Sequence, residues 1–259
     1  MLGQSRAWML AALLACLATA AAAADGCPTS KDPIDTDRPD LTNSSLVVPT
    51  GSFQSENGID LIGRGGATIF DATSSRLRLG VAHCLEVFVD VPTYFTVLGG
   101  EASSGATDLA PAIKWQISPL PGKIDLSAIV GAGLPTGTPS IAGHGVEPYV
   151  QFPASFALGG GWAINSQFTA FFYPSDPVKL ITEPTVSLEK EFGEQAYAFV
   201  EYVGDYSEHG SPSHLLNCGG AYRLTRTEQI DFHVAAGLNA NAPDYIFGLG
   251  YSFRLDGLF

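Results

Sequence analysis

Apolar residues alternate with polar or small ones along most of this chain, and the pattern is clearest between Ser75 and Tyr94. One alternating run ends at Val81 and the next begins at Leu85, with a short break at Ala82-His83-Cys84. A period of two predicts β-strands, and so short a break predicts an antiparallel hairpin. One parity is apolar, whereas the other carries Arg76, Arg78, Glu86 and Asp90. Such a hairpin suits a sheet with one face in lipid or a core and the other in water.

Twelve such runs follow from Gly51 onward. They cover residues 52–63, 74–82, 85–94, 109–118, 123–134, 147–158, 162–173, 180–191, 195–206, 213–224, 229–239 and 244–255. Short connections such as Gly159-Gly160-Gly161 alternate with longer ones such as Arg64–Thr73 and Phe95–Asp108. Short turns on one rim and longer loops on the other are typical of outer-membrane barrels. We therefore predict an all-β fold, a closed antiparallel up-and-down transmembrane β-barrel of about 12 strands over residues 51–259. A secreted, soluble β-sandwich that binds a ligand is the alternative.

The first 24 residues have the pattern of a secretory signal peptide. Arg6 supplies the positive charge, Ala7–Thr19 is apolar, and Ala22-Ala23-Ala24 precedes Asp25 as a cleavage site. A membrane anchor, or lipidation at Cys16, is the alternative. We therefore expect export, and an even strand number places both ends of the barrel at the periplasmic rim.

Residues 25–50 contain no regular pattern, because four prolines interrupt them. They also carry a dense set of charges that includes Asp37, Arg38 and Asp40. The segment is either a disordered tail or a plug that turns into the barrel. In the plug interpretation, the Asp residues would pair with Arg76, Arg78 or Arg254, and Arg38 would pair with Glu183, Glu189 or Glu201.

Charged residues line the inward parity of the predicted strands. The candidates are Arg76, Arg78, Glu86, Asp90, Lys114, Glu183, Glu189, Glu201, Asp231, His233 and Arg254, with Glu56, Asp125 and Asp205 in addition. Twelve strands enclose more space than eight, whose side chains fill the interior. Because an unpaired buried charge is very costly, these groups must meet water or each other. They form either a structural ion-pair network or a water-filled path whose acidic excess favours cations or neutral solutes.

Composition and cysteine content narrow the possible partners and chemistry. The net charge of −13, without any basic run, argues against nucleic acid. Three cysteines follow the signal, and we predict a Cys27–Cys84 disulfide with Cys218 facing lipid. We expect no metal or cofactor, because no C-x-x-C motif or His/Cys cluster is evident. We also expect no enzyme: G-x-S-x-G is absent and most histidines fall in predicted turns.

Several short motifs resemble one known family. Thr36-Asp37-Arg38-Pro39-Asp40, then Val48-Pro49-Thr50-Gly51 and Gln54, Glu56 and Gly58, are similar to the opening of the meta-pathway phenol-degradation family of outer-membrane transporters from Gram-negative bacteria. The resemblance runs from about Asp35 to the C-terminus, although the first tight turn, Ala82-His83-Cys84, differs from the Thr-Asp-Arg type frequent in that family.

The resemblance implies an outer-membrane channel but no particular substrate, and the function we predict is the passive uptake of small solutes, hydrophobic or aromatic ones among them. The expected partners are outer-membrane lipid, an unknown small solute, and the barrel-assembly machinery, which would recognise the C-terminal pattern Gly250–Leu255. A closed barrel with a structural or partner-binding role is the alternative function.

Overall fold

The computed structural model describes residues 26–98, 104–117, 124–142, 144–174, 179–208 and 210–259. The predicted signal peptide at residues 1–24 lies outside these ranges, as does the predicted turn at residues 119–122. Within the described ranges, no helix has the length and apolar character needed to cross a membrane.

The described residues form fourteen strands, all antiparallel to their neighbours in one sheet. They are β1 Phe53–Arg64, β2 Ala67–Ala82, β3 Leu85–Val91, β4 Tyr94–Leu98, β5 Gly105–Ala106, β6 Ala110–Gln116, β7 Ile124–Gly133, β8 Glu147–Gly159, β9 Trp162–Tyr173, β10 Lys179–Phe192, β11 Ala196–Ser207, β12 Ser213–Thr225, β13 Glu228–Gly237 and β14 Tyr245–Leu255. The predicted runs match most of these bounds within two residues.

The sheet closes on itself. Strand β1 pairs with β14 from Phe53–Leu255 to Gly63–Tyr245, and on its other edge it pairs with β2. Twelve strands form the ring, while the short β4 and β5 extend the sheet beside the upper part of β2. Closure gives each strand of the ring a partner on both sides, which is a requirement in lipid. The predicted fold class is confirmed, and the β-sandwich alternative is wrong.

Two predicted loops are wrong. Residues 64–73, predicted as a loop, belong to strands β1 and β2 except for the two-residue turn Gly65-Gly66 between them. Residues 95–108, also predicted as a loop, contain β5 and most of β4. The reason for the first error is a register shift between Gly58 and Ile59, which places an extra residue on β2 and changes the parity of its inward positions.

The two faces of the barrel have opposite character. The outer face exposes large apolar side chains, for example Val130 at 62% and Phe168 at 47%. The interior is mostly polar, and Arg78, Lys114, Glu56, Glu86 and Glu201 are among its largest fully buried side chains. Only two small apolar clusters are found among the described interior residues, around Ile129 and around Val203. Alternation in the sequence therefore determines an apolar outer wall and a polar lumen.

Candidate functional site: the plugged lumen

The N-terminal segment, residues 26–50, lies inside the barrel. It begins at the periplasmic rim, where Cys27 forms a disulfide with Cys84 in the turn between β2 and β3. It returns to the wall at Val48, whose N–H donates to Glu86, and at Thr50, which bridges to Gly80. The predicted disulfide is confirmed, and Cys218 is an exposed free thiol on the outer parity of β12. The disordered-tail interpretation is wrong for the described part of this segment.

Asp37 connects the segment to the basic wall of the lumen. Its carboxylate lies 2.9 Å from Arg76, 3.4 Å from Arg78 and 3.1 Å from Lys114, and it also accepts the N–H of Ser44 at 3.0 Å. Burial alone would raise the pKa of Asp37, but these three cations outweigh it and hold that pKa well below its usual range. Asp37 is therefore an ionised anchor.

The other groups around this anchor complete an ion-pair network. Arg78 contacts Glu56 at 2.7 Å and Glu86 at 3.0 Å, and all three side chains are buried. Arg76 pairs with Asp90 at 2.6 Å and lies over the ring of Phe88. Each cation of the β2, β3 and β6 wall thus has at least one carboxylate partner, which is the condition for keeping such charges in a lumen.

Arg38 does not have the predicted partner. Its guanidinium lies 3.4 Å from Asp231 on β13 and donates to Ser74, whereas none of the three predicted glutamates forms an ion pair with it among the described residues. Two glycines provide the space: a Cβ at Gly58 would lie 2.2 Å from the guanidinium carbon, and a Cβ at Gly250 would lie 2.7 Å from Nε. The guanidinium therefore reaches β13 because the neighbouring strands β1 and β14 have glycines opposite each other at this level.

The tip of the segment, Leu41 to Asn43, crosses to the opposite wall. Glu201 accepts from the backbone N–H of Leu41 at 3.0 Å and from both the N–H and the hydroxyl of Thr42 at 2.7 Å each. The N–H of Asn43 donates to Gln167 at 3.0 Å, and its side-chain amide donates to Gln151 at 3.1 Å. The segment is therefore held by hydrogen bonds on this side and by ion pairs on the other.

Asp40 has a different environment from Asp37, three residues away. It makes no ion pair within the described part of the chain, and its nearest charged neighbours include Glu201 and Glu189. Burial, together with those two carboxylates, raises the pKa of Asp40 well above its usual range. The predicted pairing of Asp40 with Arg76, Arg78 or Arg254 is wrong, because Asp40 faces Glu201 on β11, whereas those arginines are on β2 and β14.

The remaining predicted residues are spread over the height of the lumen. Glu189 accepts from Asn165 on β9, and Glu183 lies near the outer opening with Asp205. Arg254, at the periplasmic rim, donates to backbone oxygens of the segment, including that of Asp32, and pairs with Asp256. Its predicted pairing with Asp37 or Asp40 is therefore wrong. His233 lies between Asp60 and Asn217.

Uncharged polar residues were missed by the sequence prediction, although they hold much of the segment. Gln229 donates to Thr36, Gln54 donates to the backbone oxygen of Asp35, and Ser127 donates to the backbone oxygen of Ser45. All three donors occupy inward positions of their strands. Their inward parity can be identified from the alternation in the sequence, but the prediction included charged residues only.

Two cavities lie on opposite sides of the segment. One, of about 330 Å³, lies on the outer side and is lined by Arg76, Asp90 and Glu183 among others. The other, also about 330 Å³, lies on the periplasmic side and is lined by Glu189 and Tyr197 among others. Asp40 and Asn43 line both cavities. The tip of the segment therefore lies between the two cavities.

Among the lumen charges that the structure describes, no three metal-ligand side chains lie close enough together to hold an ion. In the described ranges, the only group of three close metal-ligand side chains is Cys27, His83 and Cys84 at the rim, and its two sulfurs are joined as a disulfide.

A closed barrel with an apolar belt and a polar lumen crossed by its own N-terminal segment belongs to the class of outer-membrane β-barrels. The profile of the family described as "Putative MetA-pathway of phenol degradation" matches residues 36–255. The chain belongs to this family, as the motifs around Arg38 predicted.

Solved structures show the same fold. An outer membrane channel from Pseudomonas putida F1 aligns with a TM-score of 0.63 and 13% identity over 84% of this chain and 99% of that one. The NanC porin aligns with a TM-score of 0.55 and 8% identity over 78% and 100%. The KdgM porin aligns with a TM-score of 0.52 and 7% identity over 78% and 98%. No curated protein matches the sequence.

Proposed function

We propose that this protein is an outer-membrane channel for the passive uptake of small solutes, with its N-terminal segment as the gate. The observation that carries the proposal is the position of Asp40 and Asn43 between two cavities inside a closed barrel. A structural barrel needs no such cavities on both sides of a segment. The resemblance in fold to proteins described as a channel and as porins supports the same interpretation.

The solute class that fits best is a small aromatic molecule with a polar group. The family description concerns phenol degradation, which supports aromatic solutes. The segment and the wall around its tip offer amides and hydroxyls, among them Gln151, Gln167 and Thr42. Such groups can exchange hydrogen bonds with a phenolic hydroxyl while the solute diffuses past, and no energy source is needed.

The proposed location is the outer membrane, reached by export with a cleaved signal peptide. Lipid is the partner of the outer face, where aromatic side chains lie near both ends of the strands: Trp162, Phe192 and Tyr222 toward the periplasmic turns, Tyr94, Tyr206 and Tyr245 toward the other rim. Two such girdles are expected of a spanning barrel. Insertion by the barrel-assembly machinery, through Gly250–Leu255, is part of the proposal.

The test is solute flux through purified protein in liposomes. Phenol-sized solutes should enter, and deletion of residues 25–47 should raise both the flux and the single-channel conductance without loss of the heat-dependent shift in gel mobility. A matched control is deletion of residues 25–33, which removes the disulfide but keeps the Asp37 anchor, and it should remain closed for most of the time. A deletion variant that folds but passes neither ions nor solutes would favour the closed, structural barrel.

A further inference from the structure

His233 connects two strands through both nitrogens of its ring. Nε2 lies 3.0 Å from Oδ1 of Asp60 on β1, and Nδ1 lies 3.2 Å from Oδ1 of Asn217 on β12. The amide of Asn217 is oriented by its second neighbour, because Nδ2 donates to Oε2 of Glu201 at 3.0 Å. An ionised carboxylate can only accept. The carbonyl oxygen of Asn217 therefore faces the ring, and the ring lies between two acceptors.

Only the imidazolium, with a proton on each nitrogen, can donate to both acceptors. A neutral ring keeps one N–H, and the charged carboxylate of Asp60 is the stronger acceptor. The remaining proton therefore stays on Nε2, and the lone pair of Nδ1 then faces the oxygen of Asn217. A rotation of the Asn217 amide that exchanges its oxygen and nitrogen relieves this repulsion. The same rotation removes the amide N–H from Glu201.

Glu201 is also the carboxylate that holds the tip of the N-terminal segment. Its Oε2 accepts from both Asn217 and the N–H of Leu41, and its Oε1 accepts twice from Thr42. A change at Asn217 is therefore transmitted to the tip through one shared carboxylate.

We propose that His233 is a proton-operated latch for the segment. In its charged form, His233 orients Asn217 and Glu201 to hold the tip across the lumen, and loss of its proton weakens that hold. The path therefore closes in acid and opens as the pH rises. This inference rests on the proposed function, because it assigns a control to the same gate.

Other titratable and charged groups surround the ring. They are Asp60 on β1, Asp71 opposite it on β2, Glu201 on β11, Asp231 on β13 and Arg38 of the segment, and Asp40 of the segment is a charged neighbour of Glu201. Since a His233 variant keeps all of them, the difference between its pH profile and that of the parent isolates the histidine.

A thiol on the tip measures release without relying on conductance. Leu41→Cys in a Cys218→Ser background places a reporter where the partly buried side chain packs against the inner wall. Its reaction rate with a membrane-impermeant maleimide is measured in proteoliposomes from about pH 5 to 8, the range in which histidine changes charge. Rates are normalised to those of Glu208→Cys, an exposed position.

The normalised rate in the parent should rise by roughly tenfold or more with pH, the size expected for losing one charge-assisted hydrogen bond. His233→Asn should make this rise with pH clearly smaller than in the parent, leaving only the part that other groups such as Asp40 contribute. Asn217→Leu should reduce it in the same way with the histidine still present. His214→Asn is the matched control and should keep the full rise, because His214 lies on the outer parity and bonds to Tyr202.

The latch is refuted if the normalised maleimide rate rises with pH as much in His233→Asn or Asn217→Leu as in the parent. It is also refuted if the rate in the parent does not rise with pH. Failure of the proposed function has a different signature. In that case the segment-deleted barrel does not conduct, while the maleimide rates still report whether the latch exists.

Discussion

Replacing Asp37 by Asn should undock the N-terminal segment without unfolding the barrel. The substitution keeps the size of the side chain and removes its charge, which faces Arg76, Arg78 and Lys114. Two of these cations keep other partners, because Arg76 pairs with Asp90 and Arg78 pairs with two glutamates. Lys114 is fully buried, and its only ion pair among the described residues is with Asp37. The docked variant would therefore contain an unpaired buried ammonium.

The magnitude follows from that one cation. Removing one member of a buried ion pair costs about 3–5 kcal/mol, because the partner is left without compensation. Undocking lets water reach Lys114, so the cost falls on the docked state alone. Since every 1.4 kcal/mol is a factor of ten, the ratio of docked to undocked segment should fall by roughly 100-fold to several thousand-fold.

The assay is single-channel recording in planar bilayers, in which the open fraction reports the undocked segment. Asp40→Asn is the matched control, with the same chemistry three residues away. It removes a buried carboxylate that faces Glu201 and Glu189, so it should lengthen the closed periods. Both variants should keep the mobility shift of the folded barrel on gels. An Asp37→Asn channel as closed as the parent, or two variants that change in the same direction, would refute the reasoning.

Three further predictions concern the barrel wall, the disulfide and pH. Phe168→Arg, on the lipid face, should lower the unfolding free energy in detergent or lipid by about 2–4 kcal/mol, and Asn165→Arg, on the inner face, should cost far less; equal losses would contradict the assignment of faces. Peptide mapping without reductant should recover Cys27 linked to Cys84, and two free thiols there would exclude the bridge. Docking raises the pKa of Asp40, so the segment takes up a proton when it docks. The stability that this proton gives to the docked state is complete below about pH 3.9 and is lost as the pH rises through the raised pKa. Closed periods should therefore shorten as the pH rises, and they should shorten less in Asp40→Asn than in the parent. An identical dependence of the closed periods on pH in the parent and in Asp40→Asn would count against this account.

Strand positions and faces were largely determined by the sequence. The run predicted at residues 162–173 coincides with β9, and the period of two assigned Phe168 to the outside and Asn165 to the inside. The period is local information, because successive side chains of a strand point to opposite faces whatever the strand pairs with. The family followed from a similarly local signal, the motif around Arg38.

The rest of the site required the tertiary structure. Arg38 meets Asp231, which is 193 residues away, only because closure brings β13 beside Gly58 and Gly250. Alternation shows that Asp37 and Asp40 can reach the lumen, but it does not show which wall each one meets. One lies among three cations and the other among carboxylates, with opposite shifts in pKa. The energy of a buried charge depends on neighbours within a few ångströms, and in a barrel those neighbours come from strands that are distant in sequence.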